Sequence, residues 1–427
     1  MIWLWKRPGA ALFLLAFVLR AAAAVVTEYR PLFPRYYYTD AIEHDETAWR
    51  MVLAWREGRP AMPTVAPGKR LYDYGAAGVY SLFGRKPLIL KFINGFAAAL
   101  AVLLLYRIAL ALIPLAGARW FGLFTAVWPS HVYFTSQNTK DAAVILLVAL
   151  SMDRHAAFLK GAWMGARNQT QAAALSAACA SLLILGLFKN YLLLEYGAGF
   201  VLTCLIALGI SGAARPSRYR ATLLAGMSAC LLTVLVYRSF SQLVFLKVFR
   251  ASPDHSWLAR DDLGVFPSDH ERKSFVPRTP EEITEFRRYR LDLERVYAKR
   301  VMDREIGTQL FPDLRLRTWW DVLKFMPKGF FYAFFMPLPG FYDAAGSLGR
   351  RLAGMENLAI FILFGVAVAR AIGLPKRPEH WLMICFFLAT AAATALFEFD
   401  LGSASRHKLA YLPSLLIFAF HHKEQII

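Results

Sequence analysis

The chain has 427 residues, of which 57% are hydrophobic and only 19% charged, and its mean hydropathy is +0.39. Soluble domains carry nearer about a quarter charged residues, so lipid is the expected solvent for most of this chain. The net charge of +19 would suit nucleic acid only if the basic residues shared one soluble face. They sit instead in short stretches between apolar runs, which excludes a nucleic-acid partner and fits loop charges that orient a membrane protein.

A helix of about 20 apolar residues covers the hydrocarbon core. Ten runs qualify, at 9–27, 90–112, 118–134, 141–159, 171–188, 191–212, 221–240, 354–373, 381–398 and 408–421. The third, fourth and last are short or interrupted. Lys6 and Arg7 ahead of a run ending in Ala21–Ala24 resemble a signal peptide, but the chain goes on crossing, which favours an uncleaved first helix. Arg20, midway along that helix, must find a partner or face the bundle interior. With the N-terminus inside, every inside segment is basic: Lys6 and Arg7; Arg119; Arg154, Lys160 and Arg167; Arg215, Arg218 and Arg220; Arg370, Lys376 and Arg377; and Lys423. This satisfies the positive-inside rule, and an even number of spans leaves both termini cytoplasmic. Cys179, Cys204, Cys230 and Cys385 all fall in apolar runs and read as small hydrophobes.

The expected fold is therefore all-α, a polytopic transmembrane bundle of about ten spans with two large outer regions. A module over 1–240 contains the first outer loop, 28–89; an outer region follows over 241–353, and C-terminal transmembrane helices over 354–427. The first loop gathers Asp40, Glu43, Asp45 and Glu46 at the start of a helix expected over 41–57. Asp45, Trp49 and Val52 share a face there, and Ile42, Trp49, Leu53 and Trp55 would let the helix lie on the membrane. The bland reading is an acidic N-terminus favoured by the helix dipole. The second outer region opens on a Pro/Asp/Ser-rich stretch. Thr279, Pro280 and Glu282 then begin a charged surface helix over 280–305, with Ile283, Phe286, Val296 and Val301 as a partial apolar stripe. The aromatic run FMPKGFFYAFFMPLPGFYD is too broken by Pro and Gly to span cleanly and is expected at the interface.

Ionisable residues also mark the outer span ends: Lys140 and Asp141, Lys189, Arg238, Glu356, Arg406 and Lys408. Snorkelling anchors are the ordinary explanation. Glu195, a turn into its span, needs a partner, and Lys189 is near enough in sequence to be one. Carboxylates backed by cations at head-group depth suit a reaction on a lipid-linked phosphate, with the cations holding the phosphate and a carboxylate taking a hydroxyl proton.

Several segments resemble the GT-C superfamily of membrane glycosyltransferases, especially the bacterial protein O-mannosyltransferase and aminoarabinose transferase relatives. They are LLAFVLRAAAAVV, Asp45-Glu46-Thr47-Ala48-Trp49 followed by Ala54 and Gly58, Tyr72–Gly84, Trp128-Pro129-Ser130 leading to Lys140-Asp141, and Arg406 with Pro413. Trp49 stands where the family more usually has Tyr. The likeness covers about the first 150 residues and, weakly, the last 30; 241–353 matches only in being a large outer loop. The resemblance implies Asp45 as catalytic base, with Glu46 its neighbour and Asp40 the competitor. It also implies Lys140, Lys189 and Arg406 at the lipid phosphate, with Asp141, Glu195 and Trp49 in acceptor or supporting roles. The implied reaction is an inverting single displacement from a polyprenyl-phosphate sugar to a hydroxyl of a glycan, lipid or protein acceptor. It would serve cell-envelope polysaccharide biosynthesis on the periplasmic face of a bacterial inner membrane. Some superfamily members add a divalent metal, so cofactor dependence stays open. The absence of an outward N-x-S/T sequon fits a bacterium, since Asn168-Gln169-Thr170 falls in an inside loop. Two alternatives stand beside this reading. One is a polysaccharide polymerase or ligase acting on undecaprenyl-linked glycans. The other is a transporter or flippase, disfavoured because spans two to ten are mostly clean apart from Arg107 and Glu195 near their ends.

Overall fold

A computed structural model describes residues 7–33, 38–59, 67–211, 215–248, 277–302, 308–341, 348–374 and 376–421. The fold is all-helical, 84% helix with no strands among the described residues. Lys6, Lys423 and the Pro/Asp/Ser-rich stretch lie outside the described residues, as do the side chains of Val296 and Val301. The helices are α1 (Pro8–Tyr29), α2 (Thr39–Arg56), α3 (Pro67–Phe83), α4 (Pro87–Leu112), α5 (Leu115–Val127), α6 (Pro129–Thr135), α7 (Asp141–Met164) and α8 (Asn168–Phe188). They continue as α9 (Asn190–Ser211), α10 (Ser217–Val248), α11 (Pro280–Met302), α12 (Trp319–Phe335), α13 (Leu348–Gly373), α14 (Pro378–Phe397), α15 (Leu401–His407) and α16 (Leu412–Leu416).

Eight of these, α1, α4, α7, α8, α9, α10, α13 and α14, are long and apolar enough to cross a membrane. They coincide with eight of the ten expected runs. The run at 118–134 falls on two shorter helices, α5 and α6, which meet at Trp128-Pro129. Pro129 offers no N–H, and the residue before a proline is driven from helical backbone; Trp128 accordingly sits at ψ 116°. The run at 408–421 folds as 3-10 turns flanking α16. Leu412, Pro413, Ser414, Leu415 and Leu416 are all buried in protein, where irregular backbone is tolerated at apolar depth.

The chain divides into two compact units, Met1–Ser241 with Phe361–Thr390 and Leu409–Ile427, and Gln242–Ile360 with Ala391–Lys408. The helices expected as one C-terminal group thus contribute to both. In the first unit, small residues bring helices close: Ala16, Ala99, Val102 and Ala126 form one buried contact among α1, α4 and α5. Arg20 is buried there. Its guanidinium donates to Thr135 Oγ1 at 2.9 Å, to the carbonyls of Ala16 and Ala126 at 2.9 and 3.1 Å, and to His131 Nδ1 at 2.5 Å. Because arginine only donates, His131 accepts at Nδ1 and carries its proton on Nε2.

In the second unit the expected charged helix appears as α11. Glu282 N–H donates to Thr279 Oγ1 at 3.2 Å, while the Glu282 carboxylate accepts from the Arg278 N–H at 2.5 Å. Its buried line is Ile283, Arg287 and Leu291, one helical turn apart, so a cation replaces the expected apolar residue. Arg287 donates to the carbonyls of Leu396, Glu398 and Leu310 at 2.7, 2.7 and 2.9 Å, closing the open C-terminal end of α14. Burial lowers its pKa to about 10, which leaves it charged at neutral pH. Of the broken aromatic run, 325–335 is helical in α12, straight through Pro327, 336–341 is not, and 342–343 lies outside the described residues; α12 starts with a reciprocal Thr318–Asp321 capping box.

Gly199 gives a test of this packing. A Cβ there would lie 2.8 Å from Phe386 Cα and 3.1 Å from the Cys385 carbonyl oxygen, atoms of backbone that cannot step aside. Gly199→Val should therefore separate α9 from α14 and cost about 1–3 kcal/mol. Thermal unfolding of the purified variant in detergent should show a lower midpoint; an unchanged midpoint would contradict the close contact.

Candidate functional site

Asp40 in the first turn suits the α2 dipole, and Gly58, at φ +69°, follows the helix end. α3 stops before Gly84, at φ +76°, and Pro87 opens α4. Arg85 and Lys86 are thus fixed at the mouth of a span. α2 and α3 pack through Ala48, Met51, Val52, Tyr72, Ala76, Ala77 and Tyr80, with Leu90 of α4 in the same cluster and Phe188 of α8 against it. The face of α2 that is buried lies against α3, while Leu53 and Trp55 stay exposed; Ile42 and Trp49, expected on the membrane-facing side with them, are half-buried, Trp49 against the same cluster.

Buried polar groups then join this helix pair to the span ends. Asn94 Nδ2 donates to Tyr72 Oη at 2.8 Å and to the Gln137 and Thr139 carbonyls at 2.7 and 3.1 Å. Tyr72 passes its own proton to Asn138 Oδ1 at 2.7 Å. That bond fixes which way the Asn138 amide points. Its Nδ2 is left buried with no hydrogen-bond partner among the described residues, as is Gln137 Oε1. His44 Nδ1 lies 2.5 Å from Asp73 Oδ1, the two side chains 1% and 0% exposed. The edge of the His44 ring meets Tyr72 at 4.8 Å between centroids.

Asp45 lies at the rim, its side chain 14% exposed. Oδ1 accepts from Tyr80 Oη, and Oδ2 accepts from Arg85 Nε and Nη2 at 3.0 and 2.5 Å. Oδ1 keeps a further lone pair, while both of those on Oδ2 are taken by Arg85. Beside this node, Lys189 Nζ stands 3.8 Å from Asp141 Oδ1, and Thr139 Oγ1 donates to Asp141 Oδ2 at 3.1 Å. Lys140 Nζ donates to the Phe188 carbonyl at 3.4 Å. Lys91 pairs with Glu28 at 2.9 Å. The starts of α4, α7 and α9 and the ends of α1 and α8 therefore meet at one polar end of the unit.

Among the residues singled out from sequence, Lys140, Asp141 and Lys189 are brought together, and Asp45 reaches the same region through Tyr80 and Tyr72. Glu46 is exposed next to Asp45, and Asp40 is half-buried a turn earlier. Trp49 sets its edge on Tyr80 at 6.5 Å, with the Arg56 guanidinium 5.4 Å over its ring. Glu195 is half-buried in α9, and Asp141 Oδ1 stands 3.8 Å from Lys189 Nζ. Arg406 belongs to α15 in the second unit. Sequence reasoning missed His44, Asp73, Arg85, Asn94 and Asn138, although Asp73 and the two tyrosines lie inside the singled-out stretch Tyr72–Gly84. Among the described residues, no group of three His, Cys, Asp or Glu side chains is placed to hold a metal ion. No protein-family model and no curated protein matches the chain.

Burial raises the Tyr72 pKa well above its ordinary value; the bond from Asn94 opposes this, and Asp141, Asp73 and Asp45 add to it. Burial and then the bond to Asp45 do the same for Tyr80. Unfolded chains release these protons near pH 10 (about the free tyrosine value), whereas the folded protein keeps them. Their contribution to stability is complete below about pH 10 and is lost as pH rises above it. The unfolding midpoint should fall along that alkaline limb, and Tyr72→Phe should make the fall shallower. An identical slope in the variant would contradict the shared burial.

Proposed function

We propose that the chain is an integral-membrane glycosyltransferase acting on a polyprenyl-phosphate sugar at the non-cytoplasmic face of a bacterial inner membrane. The eight long apolar helices support the membrane setting. We count ten crossings, with α5–α6 and the segment around α16 as broken spans and both termini inside. The observation that carries the proposal is the meeting of five span ends under the α2–α3 pair. Carboxylates, cations and amide atoms without partners among the described residues share that one end, and in this reading the span ends lie at the level of lipid phosphates.

In this reading Lys140 and Lys189 receive the donor phosphate. Asp141 holds Lys189 near the mouth of the site at 3.8 Å, a separation that leaves the ammonium able to exchange partners. Asp45, oriented by Tyr80 and Arg85, takes the acceptor hydroxyl proton as its oxygen attacks the anomeric carbon. The bond from that carbon to the phosphate oxygen breaks, its electron pair leaves with polyprenyl phosphate, and configuration inverts. Cations beside the leaving phosphate favour the charge that develops there. Asn138 Nδ2 and the side-chain Gln137 Oε1, without hydrogen-bond partners among the described residues, offer a donor and an acceptor suited to a sugar hydroxyl. His44 and Asp73 are too enclosed to meet substrate and set the shape of α2 behind Asp45.

Asp45→Asn keeps the shape of the side chain and removes the base. In proteoliposomes supplied with a polyprenyl-phosphate sugar, kcat should fall by about 10²–10⁴-fold. Near wild-type transfer by that variant would remove Asp45 from the role, and loss of transfer in Asp40→Asn alone would move the base there. Solute movement without transfer would reject the enzyme reading.

A further inference from the structure

The second unit carries an exposed face that sugar transfer does not use. On α12, Val322, Phe325, Gly329 and Ala333 are buried, while Trp319, Trp320 and Leu323 are 59%, 62% and 60% exposed. Cations border them: Arg315 and Arg317 precede the helix, and Lys324 and Lys328 lie on it, all exposed. Lys324 Nζ stands 5.3 Å over the Trp320 ring, and Lys328 Nζ 5.0 Å over the Phe311 ring. Four cations thus face two carboxylates, Asp313 and Asp321, and Asp321 is turned back onto the Thr318 N–H and hydroxyl at 2.9 Å each.

The depth of this face is set by a second contact. A Cβ on Gly329 would lie 2.4 Å from the Ala395 carbonyl oxygen, so α12 crosses α14 in its last turn. Ala395 is two residues from Phe397, the end of a helix of spanning length, or about 3 Å along its axis. Val322 and Phe325 pack with Leu396 and Phe397 at the same level. An exposed aromatic and cationic face at the end of a span sits where head groups meet hydrocarbon. Tryptophan favours that boundary, and lysine reaches from it toward phosphate.

We infer that α12 is a docking surface for anionic lipid head groups, with Trp319, Trp320 and Leu323 entering the outer leaflet and Lys324 and Lys328 meeting lipid phosphates. The excess of cations selects an anionic surface over a protein partner or open water. This surface is separate from the proposed transfer site, and no catalytic role is assigned to it.

The test places a nitroxide at Leu323→Cys in the full-length protein, with the four native cysteines replaced by alanine, in nanodiscs of phosphatidylcholine with or without phosphatidylglycerol. With phosphatidylglycerol, the label should be severalfold more accessible to oxygen than to a water-soluble nickel chelate. Lys324→Glu/Lys328→Glu, or removal of the anionic lipid, should shift it toward the chelate. A label open to the chelate in anionic discs, or closed to both reagents as under a protein partner, would overturn the inference. A membrane-embedded label indifferent to charge would overturn the anionic assignment. If the cysteine-free chain does not fold, quenching by brominated phosphatidylglycerol serves instead. It should fall in W319F/W320F relative to wild type, and equal quenching of the two would reject the docking.

Discussion

A polar group buried among spanning helices is costly without a partner inside the protein, because neither lipid nor a packed interior offers water. Tyr72, Asn94 and the 137–139 backbone meet that demand together. Asn94 gives its amide protons to Tyr72 and to two carbonyls, and Tyr72 gives its own proton to Asn138. Leaving any one buried group unmet costs about 1–3 kcal/mol. The α2–α3 pair is therefore fastened to the start of α4 and the segment before α7, and Asp45 is carried with it.

The same demand explains the buried arginines. Arg287 is satisfied by backbone carbonyls, two of them at the end of α14, and Arg20 by the Ala126 carbonyl at the end of α5, the Ala16 carbonyl within α1, Thr135 and His131. Carbonyls at a helix end lack partners of their own, so a guanidinium with several donors can close more than one. Irregular backbone and isolated cations thus occur together in this fold, each answering the other. The polar end of the first unit extends the pattern: where spans start and stop, side chains replace the missing helical bonds, and that is where reactive groups can gather.

Much of this was legible in the sequence because it depends on local signals. Run length predicted ten spans, eight of which are helices of spanning length, Thr279-Pro280 predicted the start of α11, and the acidic turn predicted the start of α2. Pro129 and Pro413 interrupt two further runs for reasons that are equally local. The site was less legible. Asp73 lies between Tyr72 and Tyr74 in a stretch that looks like simple helix, and its value as a partner arises only when α2 brings His44 against it. Lys189 has Glu195 nearby in sequence, whereas the approach of Asp141 to 3.8 Å arises only from the tertiary fold. Arg287 occupies a position that an apolar stripe would claim, because the open end of α14 is invisible from α11 alone.

The account depends most on the claim that the Tyr72–Asn94–Asn138 node holds the α2–α3 pair on the span ends. Hydrogen exchange of full-length protein in nanodiscs, comparing wild type with Asn94→Leu, tests it directly. Peptides covering residues 39–56 and 71–83 should exchange severalfold faster in the variant, while α7 and α8 keep their protection. Unchanged exchange across both helices would contradict the claim and leave Asp45 without the support proposed for it.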